Sequence, residues 1–249
     1  MSKIYKALAR AEAERGSEPI ESFRASHMLV PDPHEEGHLD LPERLEEYEK
    51  LRVMLTLEAN RAEVRSVMLV SALAGEGVST VTLGLAAAMA EGGRQGVLVV
   101  DLNSTTPTLA GRLGVPPRCG LGELLAKEAT RSEAVIESQL PHLFLLGHGK
   151  VKADFSRPGS LALFDELLKS MRSDFDSILL DGGALETGSD SLLVSGRVDG
   201  VIIVVQADRT GADPVREASS RLKMAGANVL GVVLNRRRDY LPNFISRKL

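Results

Sequence analysis

Short, continuous runs of Val, Ile and Leu recur between residues 67 and 235, and they constrain the fold more than any other feature of the sequence. They predict strands at 67–71, 96–101, 143–147, 177–181, 200–206 and 229–235. Helical patterns fall between them near 79–92, 120–127, 159–172, 189–196 and 213–225. Strands that are apolar on both faces and alternate with helices are typical of a parallel sheet covered on both sides. We therefore predict a doubly wound α/β fold with a mostly parallel sheet, and a binding site at the carboxyl ends of its strands.

The segment after the first predicted strand is glycine-rich and reads S-A-L-A-G-E-G-V-S-T over residues 71–80, here called the phosphate loop. Gly75 and Gly77 allow the backbone to curl so that successive N–H groups point at a phosphate. Ser79 stands where the hydroxyl of such a P-loop holds magnesium, but the lysine that reaches the β- and γ-phosphates is replaced by Val78. The sequence thus predicts a P-loop NTPase type of sheet with weak or absent binding of ATP or ADP. The predicted nucleotide contacts are Gly75, Glu76, Gly77, Val78, Ser79, Thr80 and Asn235.

Three polar residues end predicted strands close to this loop. Asp101 and Asp181 follow apolar runs, and a carboxylate buried there costs several kcal/mol unless a cation or hydrogen-bond donors accompany it. With Ser79, they predict a magnesium site in which Asp181 is the Walker-B-like acid. The alternative is that each acid only caps the following turn or helix. Asn235 ends the last strand, where its carboxamide either reads an adenine edge or forms a turn.

Composition excludes several classes of protein. The chain has 249 residues with 43% hydrophobic content, enough for one α/β domain with a full core. The formal net charge of -4 gives no general attraction for nucleic acid. The single cysteine, Cys119, excludes a disulfide scaffold, and no apolar stretch approaches the ~18 residues of a membrane span. We therefore expect a cytoplasmic protein.

The chain divides into three predicted parts. Residues 1–16 form an interaction helix with a narrow apolar stripe, too narrow to fold alone. Residues 17–40 carry several prolines and three histidines without hydrophobic periodicity, which predicts a linker. Residues 41–249 form the P-loop NTPase-like domain, beginning with a helix over about 42–57.

Several segments together resemble the bacterial tyrosine kinases (BY-kinases), P-loop proteins that accompany polysaccharide copolymerases in capsule and exopolysaccharide export. They are M-S-K-I-Y-K-A-L at 1–8, E-E-Y-E-K-L-R at 46–52, P-T-L at 107–109, S-D-S-L-L at 189–193, V-D-G-V-I at 198–202 and G-V-V-L-N-R-R-R at 231–238. The segment at 46–52 is similar to the family's E-x-x-R-x-x-R oligomerisation helix. Because the similarity spans nearly the whole chain, it implies a cytoplasmic partner of a polysaccharide export system.

The departures from the family pattern all affect phosphoryl transfer or assembly. The lysine is Val78, and the family's D-A-D is D-L-N here, so that its second acid is Asn103. The usual D-x-P-P after the Walker B strand reads D-G-G-A from Asp181, and the C-terminal tyrosine cluster is reduced to Tyr240. In the oligomerisation motif, Glu49 replaces the middle arginine. The resemblance therefore implies a catalytically impaired member, in which no residue is assigned a catalytic role.

The resemblance also implies partners: a membrane-bound polysaccharide copolymerase or a paralogous tyrosine kinase, with membrane association only through that partner. Homo-oligomerisation stays open, and Glu49 favours a monomer or dimer over a ring. One alternative is an active autokinase or ATPase that uses Arg209 in place of the lysine, with Tyr240, or Tyr5 and Tyr48, as the acceptor. Another is a partition-type or septum-positioning ATPase of the same superfamily, which the tail, the linker and residues 46–52 disfavour.

Overall fold

The computed structural model describes residues 28–29, 41–62, 64–91, 96–115 and 119–236. Its strands are β1 (Met28–Leu29), β2 (Ser66–Ser71), β3 (Val97–Asp101), β4 (Val135–Glu137), β5 (Leu143–Leu146), β6 (Ser177–Ala184), β7 (Gly200–Gln206) and β8 (Val229–Asn235). Its helices are α1 (Leu41–Ala62), α2 (Val78–Ala90), α3 (Leu109–Arg112), α4 (Leu121–Ala126), α5 (Arg131–Ala134), α6 (Ser160–Met171), α7 (Asp190–Ser195) and α8 (Ala212–Met224).

The strands form one eight-stranded sheet in the order β1-β8-β7-β2-β6-β3-β5-β4. All neighbouring pairs are parallel except β4 with β5, so the sheet has one antiparallel edge strand. The predicted doubly wound α/β fold with a mostly parallel sheet is confirmed. Because the strands run the same way, the ends of β2, β3, β6, β7 and β8 meet along one edge, where polar side chains can converge.

Two apolar cores lie on opposite faces of the sheet, which explains why the strands are apolar throughout. Successive residues of β2 point to opposite sides: Leu69 packs with α1 and α2, whereas Met68 packs with helices of the other face. Both side chains are fully buried. On the second face, α6, α7 and α8 contribute the apolar residues that cover the sheet. A doubly covered sheet of this kind requires Val, Ile and Leu at consecutive positions.

Helix α1 packs onto α2 through a tyrosine and a glycine. Tyr48 is buried, and a Cβ atom added to Gly84 would lie 2.2 Å from the Tyr48 Cζ atom. Gly84 therefore allows α1 to approach α2 so closely that the tyrosine ring lies against the backbone. This contact fixes α1 on the same face as the helix that follows the phosphate loop.

The structure adds elements that the sequence patterns did not predict. Short helices α3 and α5, strand β4 and the two-residue strand β1 were not expected, and β1 lies within the segment predicted as a linker. Helix α1 is longer than the predicted 42–57. The predicted helix at 1–16, the rest of the linker and the C-terminal tail lie outside the described residues. Among the residues that are described, no helix combines the length and apolar content needed to cross a membrane.

Candidate functional site

The phosphate loop joins β2 to α2 with the backbone conformation that the glycines predicted. Gly75 and Gly77 have φ angles of 81° and 91°, in the left-handed region that residues with a Cβ atom rarely adopt. Helix α2 begins at Val78, immediately after Gly77, and its first N–H groups are therefore available at the carboxyl edge of the sheet. This arrangement can hold an anion through backbone N–H groups and the helix N-terminus.

The buried side chain of Glu76 stabilises the phosphate loop. The sequence predicted a nucleotide contact for this residue and not this structural role. Its side chain is buried, and its carboxylate accepts hydrogen bonds from Leu73 N (2.8 Å), Gln206 N (3.0 Å) and the hydroxyl of Thr210. These donors tie the loop to the end of β7. The Glu76 carboxylate is therefore used within the protein as a support of the loop.

Asn235 also supports the loop from behind, and this geometry changes its predicted role. The side chain is fully buried, and Nδ2 donates to Glu76 O at 2.8 Å while Oδ1 accepts from Arg236 N at 2.9 Å. A Cβ atom on Gly77 would lie 2.2 Å from Nδ2, so the glycine is also required for this close contact. Both polar groups of the carboxamide are used within the protein, and Asn235 is therefore a positioning residue of the loop. These hydrogen bonds do not support the predicted contact between the Asn235 carboxamide and the edge of an adenine base.

Val78 is buried in the apolar core, with 6% of its surface exposed. It belongs to the same cluster as Tyr48 of α1 and Val81 of α2. A valine side chain has no donor and is too short to reach a phosphate held by the loop. The structure therefore assigns position 78 to packing between the loop and the core.

Asp101 and Asp181 occupy neighbouring strand ends, as the sequence predicted. They are register partners between β3 and β6, and each is 1% exposed. Burial, followed by repulsion from Asp181, raises the pKa of Asp101 to about 7. Burial also raises the pKa of Asp181, against the lowering effects of the Ser79 hydroxyl, the Gly183 N–H and the Arg112 charge. The two carboxyls thus form a site where a cation would be strongly stabilising.

One oxygen of Asp181 is left without a hydrogen-bond partner. Oδ1 accepts from Gly183 N at 3.1 Å, whereas Oδ2 is buried and meets no donor in hydrogen-bond geometry among the described residues. No group of three or more His, Cys, Asp or Glu side chains in the described ranges could hold a metal ion alone. Magnesium, however, is commonly bound by one or two carboxylates, a hydroxyl, phosphate oxygens and water. Ser79, Asp101 and Asp181 fit that pattern, with Asp181 Oδ2 as the best-placed ligand atom or water acceptor.

Asn103, at the position of the family's second acid, stabilises its own turn. Its Oδ1 accepts from Thr106 N at 3.2 Å, and its Nδ2 donates to Thr106 Oγ1 at 3.2 Å. The same carboxamide packs over Gly183, whose added Cβ would lie 2.9 Å from Asn103 Cγ. The turn after β3 is therefore held by an uncharged side chain, and the site lacks the third carboxylate that the family pattern would place there.

Three arginines lie next to the phosphate loop, and only Arg209 was predicted from the sequence as a substitute for the lysine. Arg209 Nη1 lies 3.4 Å from the Cβ position of Gly75 and donates to Gln206 Oε1 at 3.2 Å. Arg236 Nη1 donates to Gly75 O at 3.2 Å. Arg112 Nη1 donates to Thr80 Oγ1 at 2.8 Å. Arg112 lies on α3, a four-residue helix without a clear periodic signal, which is why the sequence did not indicate it.

Known proteins similar to this chain include several tyrosine-protein kinases. No protein-family model matches the chain. The tyrosine-protein kinase CpsD of Streptococcus agalactiae serotype III (strain NEM316) is 25% identical over 185 residues, covering 74% of this chain and 79% of CpsD. The tyrosine-protein kinase YwqD of Bacillus subtilis is 25% identical over 190 residues, covering 76% and 80%. The succinoglycan biosynthesis transport protein ExoP of Rhizobium meliloti is 29% identical over 178 residues, which are 70% of this chain and 22% of ExoP.

Solved structures show the same fold. The kinase domain of the Escherichia coli tyrosine kinase ETK matches with a TM-score of 0.75 at 20% identity, covering 87% of this chain and 91% of ETK's chain. The septum site-determining protein MinD of Pyrococcus horikoshii, complexed with Mg-ADP, matches with a TM-score of 0.58 at 29% identity, covering 74% and 76%. The sheet and the phosphate loop thus define a P-loop NTPase fold. Within that class, the chain is similar to bacterial tyrosine kinases over about three quarters of its length.

Proposed function

We propose that this protein is a catalytically impaired bacterial tyrosine kinase that regulates capsule or exopolysaccharide biosynthesis and export. The observation that carries the proposal is Val78: the lysine position of the phosphate loop holds a buried apolar side chain. A lysine–phosphate contact is a charge-assisted hydrogen bond worth roughly 1.5–3 kcal/mol. Its contribution grows as charge develops on the transferring phosphoryl group, so its loss slows the reaction more than it weakens binding.

The turn after β3 supports the same conclusion. Asn103 bonds to Thr106 and carries no charge, so it can neither bind a metal ion as a carboxylate does nor take a proton from a tyrosine hydroxyl. Loss of a positioned general base typically costs ~10²–10⁴-fold in rate. Together with Val78, this removes two separate contributions to phosphoryl transfer while the fold is kept.

Tyr48 is also unsuitable as a phosphate acceptor in this fold. It is 3% exposed, and its ring lies against the backbone of Gly84. Phosphorylation would require α1 to leave the surface of α2. Tyr5 and Tyr240, the other acceptors considered above, lie outside the described residues.

The proposed partner is a membrane-bound polysaccharide copolymerase or a paralogous active kinase. Support comes from the relatives: ExoP is named for succinoglycan biosynthesis and transport, and this chain matches a portion of that larger protein. In this proposal, the kinase-like domain acts together with the copolymerase of such a system. In this proposal, residues 1–16 contact the partner, residues 17–40 link them to the domain at 41–249, and the protein is held at the inner face of the membrane by its partner.

A second candidate is a residual ATPase or autokinase, favoured by the geometry of Asp181. Its buried Oδ2, which meets no hydrogen-bond donor among the described residues, is an atom that a magnesium-binding enzyme would retain. Arg209, placed beside Gly75, would then supply the missing positive charge. In this candidate, ATP hydrolysis or tyrosine phosphorylation is slow but depends on Asp181.

The test is a radiolabelled autophosphorylation assay with Mg-ATP on the purified wild type, with Asp181→Ala as the background. We expect equal, negligible signals from both. A repaired variant, Val78→Lys with Asn103→Asp, shows whether the assay can detect activity restored to this scaffold. Wild-type phosphotyrosine above the Asp181→Ala background would reject the impaired-kinase proposal and select the second candidate.

A genetic test addresses the regulatory role. Deletion of the gene is expected to change the amount or chain length of the surface polysaccharide. Complementation with Asp181→Ala should then restore the wild-type level, because the proposed role needs binding and no phosphoryl transfer. Failure of Asp181→Ala, if that variant is as abundant in cells as the wild type, would show that nucleotide chemistry is required.

A further inference from the structure

Arg112 places a positive charge at the helix end of the phosphate loop. It ends α3, its side chain is exposed, and its Nη1 donates to the Thr80 hydroxyl at 2.8 Å. Within the described part of the chain, its guanidinium forms no ion pair with a carboxylate, unlike Arg172, which pairs with Asp199 at 2.7 Å. A guanidinium held by a single neutral hydroxyl keeps most of its donors available.

The surroundings of Arg112 are those of a phosphate–magnesium site. Thr80 follows Ser79, the hydroxyl position that meets magnesium in P-loops. Helix α3, which carries Arg112, follows β3, whose last residue Asp101 is the register partner of Asp181. Asp181 Oδ2 is buried and unpartnered among the described residues, which independently indicates that a ligand completes the site.

The other two arginines lie beside an earlier part of the loop, at Gly75. Arg209 and Arg236 both donate to Gln206 Oε1, at 3.2 and 3.4 Å, and they lie beside Gly75. Gln206 thus holds both guanidinium groups near Gly75. Among the described residues, neither of them hydrogen-bonds to Ser79, Thr80 or Asp181, whereas Arg112 donates to the Thr80 hydroxyl.

We propose that Arg112 binds the phosphate groups of a nucleoside di- or triphosphate in this loop, in place of the missing lysine. The guanidinium can form two parallel hydrogen bonds to a phosphate, and it stays charged at any physiological pH. Its bond to Thr80 holds it at the loop before the ligand binds. This role of Arg112 rests on the proposed function, because it concerns the same loop. Arg112 supplies a contact that binds phosphate, whereas the transition-state contacts of a lysine at position 78 and an acid at position 103 are absent.

The experiment is a calorimetric titration of the full chain with Mg-ADP at low ionic strength. The variants are Arg112→Gln, Arg112→Lys and Arg209→Gln. Arg216→Gln is a control for loss of one surface charge, since Arg216 pairs with the exposed Asp213. We expect Arg112→Gln to weaken binding about 10- to 100-fold, as for loss of a charge-assisted phosphate contact. Arg112→Lys should keep most of the affinity, and Arg209→Gln should weaken binding less than Arg112→Gln does. Arg216→Gln should stay within about 3-fold of wild type, the scale of screened surface charges.

Two further measurements separate direct phosphate binding from a general loosening of the loop. AMP has fewer phosphate charges than ADP, so Arg112→Gln should reduce the affinity for AMP by a clearly smaller factor than the affinity for ADP. In a Val78→Lys background, Arg112→Gln should also reduce the affinity for Mg-ADP by a smaller factor than in the wild type, because the lysine then supplies the same contact.

Unchanged Mg-ADP affinity in Arg112→Gln would overturn the inference, as would a larger loss in Arg209→Gln. Absence of any binding by the wild type up to millimolar Mg-ADP would overturn it too. None of these outcomes bears on the impaired-kinase proposal, which stands or falls on phosphotyrosine formation.

Discussion

Asp101 and Asp181 face each other as register partners at the ends of β3 and β6, each 1% exposed, with the pKa of Asp101 raised to about 7. Two buried carboxyls this close cannot both be ionised cheaply in the absence of a cation. The pair is therefore stabilised either by a proton on one carboxyl or by a bound metal ion. That relationship gives the protein a pH-dependent stability that can be measured without any knowledge of its activity.

Without magnesium, stability should fall as the pH rises from about 4 to about 7. In this range the folded protein keeps a proton on Asp101 that the unfolded chain, with a carboxyl pKa near 3.8, has released. The folded state thus binds more protons, and the free energy of unfolding decreases with pH until the folded-state pKa is passed. Asp101→Asn should remove this part of the slope. Relative to that variant, the wild type should lose about 2 kcal/mol between pH 5.5 and 7.5, at 1.36 kcal/mol per unit of pKa.

Urea unfolding at both pH values, in the presence of EDTA, measures this difference. Asp213→Asn, which changes an exposed carboxyl, is the matched control and should follow the wild type. Parallel pH profiles for the wild type and Asp101→Asn would show that Asp101 is ionised throughout.

Glu76 should be worth about 2–4 kcal/mol to the folded state. Its buried carboxylate accepts from Leu73 N, Gln206 N and the Thr210 hydroxyl. Glu76→Gln leaves one oxygen and turns an NH₂ group toward these donors, and hydrogen bonds to a charged group contribute about 1.5–3 kcal/mol each. Urea unfolding measures the loss.

The control for this prediction is Glu186→Gln. The Glu186 carboxylate accepts from the same loop, at Ala74 N (3.3 Å), but the residue is exposed. We expect its substitution to change stability by less than about 0.5 kcal/mol. Equal changes in the free energy of unfolding for the two substitutions would mean that the buried hydrogen bonds of Glu76 do not stabilise the fold.

Gly84→Ala should loosen the packing of α1 on α2. The added Cβ atom would lie 2.2 Å from Tyr48 Cζ, so the aromatic ring or the whole helix must shift. Overpacking of this kind costs about 1–3 kcal/mol, in spite of the gain of up to ~1 kcal/mol in helix propensity. Thermal unfolding and proteolysis within α1 report the change.

Gly111→Ala is the matched control, because a Cβ atom at Gly111 meets nothing within 4 Å. A second variant, Gly84→Ala with Tyr48→Leu, should recover part of the lost stability by removing the ring. The opposite outcome is that Tyr48→Leu lowers the free energy of unfolding by the same amount in the wild type and in Gly84→Ala. The added methyl group would then not clash with the tyrosine ring, which would contradict the prediction.

Glu49→Arg should favour self-association. Glu49 Oε2 now accepts from both Nε and Nη2 of Arg52, at 2.8 and 2.6 Å, so the arginine that ends the family's oligomerisation motif is neutralised within its own helix. Each side chain is about one third exposed, so the ion pair itself contributes only a few tenths of a kcal/mol to stability. Restoring arginine releases Arg52 for a contact with a second copy.

Sedimentation velocity at several concentrations measures this effect, with Glu47→Arg as a control of identical charge change on the same helix. We expect a concentration-dependent increase in mass for Glu49→Arg alone. A monomer in both variants would mean that the motif at 46–52 has lost its assembly role for reasons other than Glu49.

The sequence by itself determined the fold and the location of the site. Continuous Val, Ile and Leu runs require a sheet covered on both faces, and β7 and β8 have the predicted bounds, Gly200–Gln206 and Val229–Asn235. Asp101 and Asp181 were predicted to converge because parallel strands end at one edge, and they are register partners. These properties depend on local pattern and on the direction of the strands, which the order of residues encodes directly.

Only the tertiary structure decided what each side chain near the loop does. Glu76 and Asn235 were predicted to contact nucleotide, but long-range hydrogen bonds turn both side chains inward as supports of the loop. Arg112 lies 32 residues from Thr80, on a helix too short to have a periodic signal, and it reaches the loop only because α3 folds over the end of β3. Such contacts join residues far apart in sequence, and no local pattern of hydrophobicity or spacing specifies them.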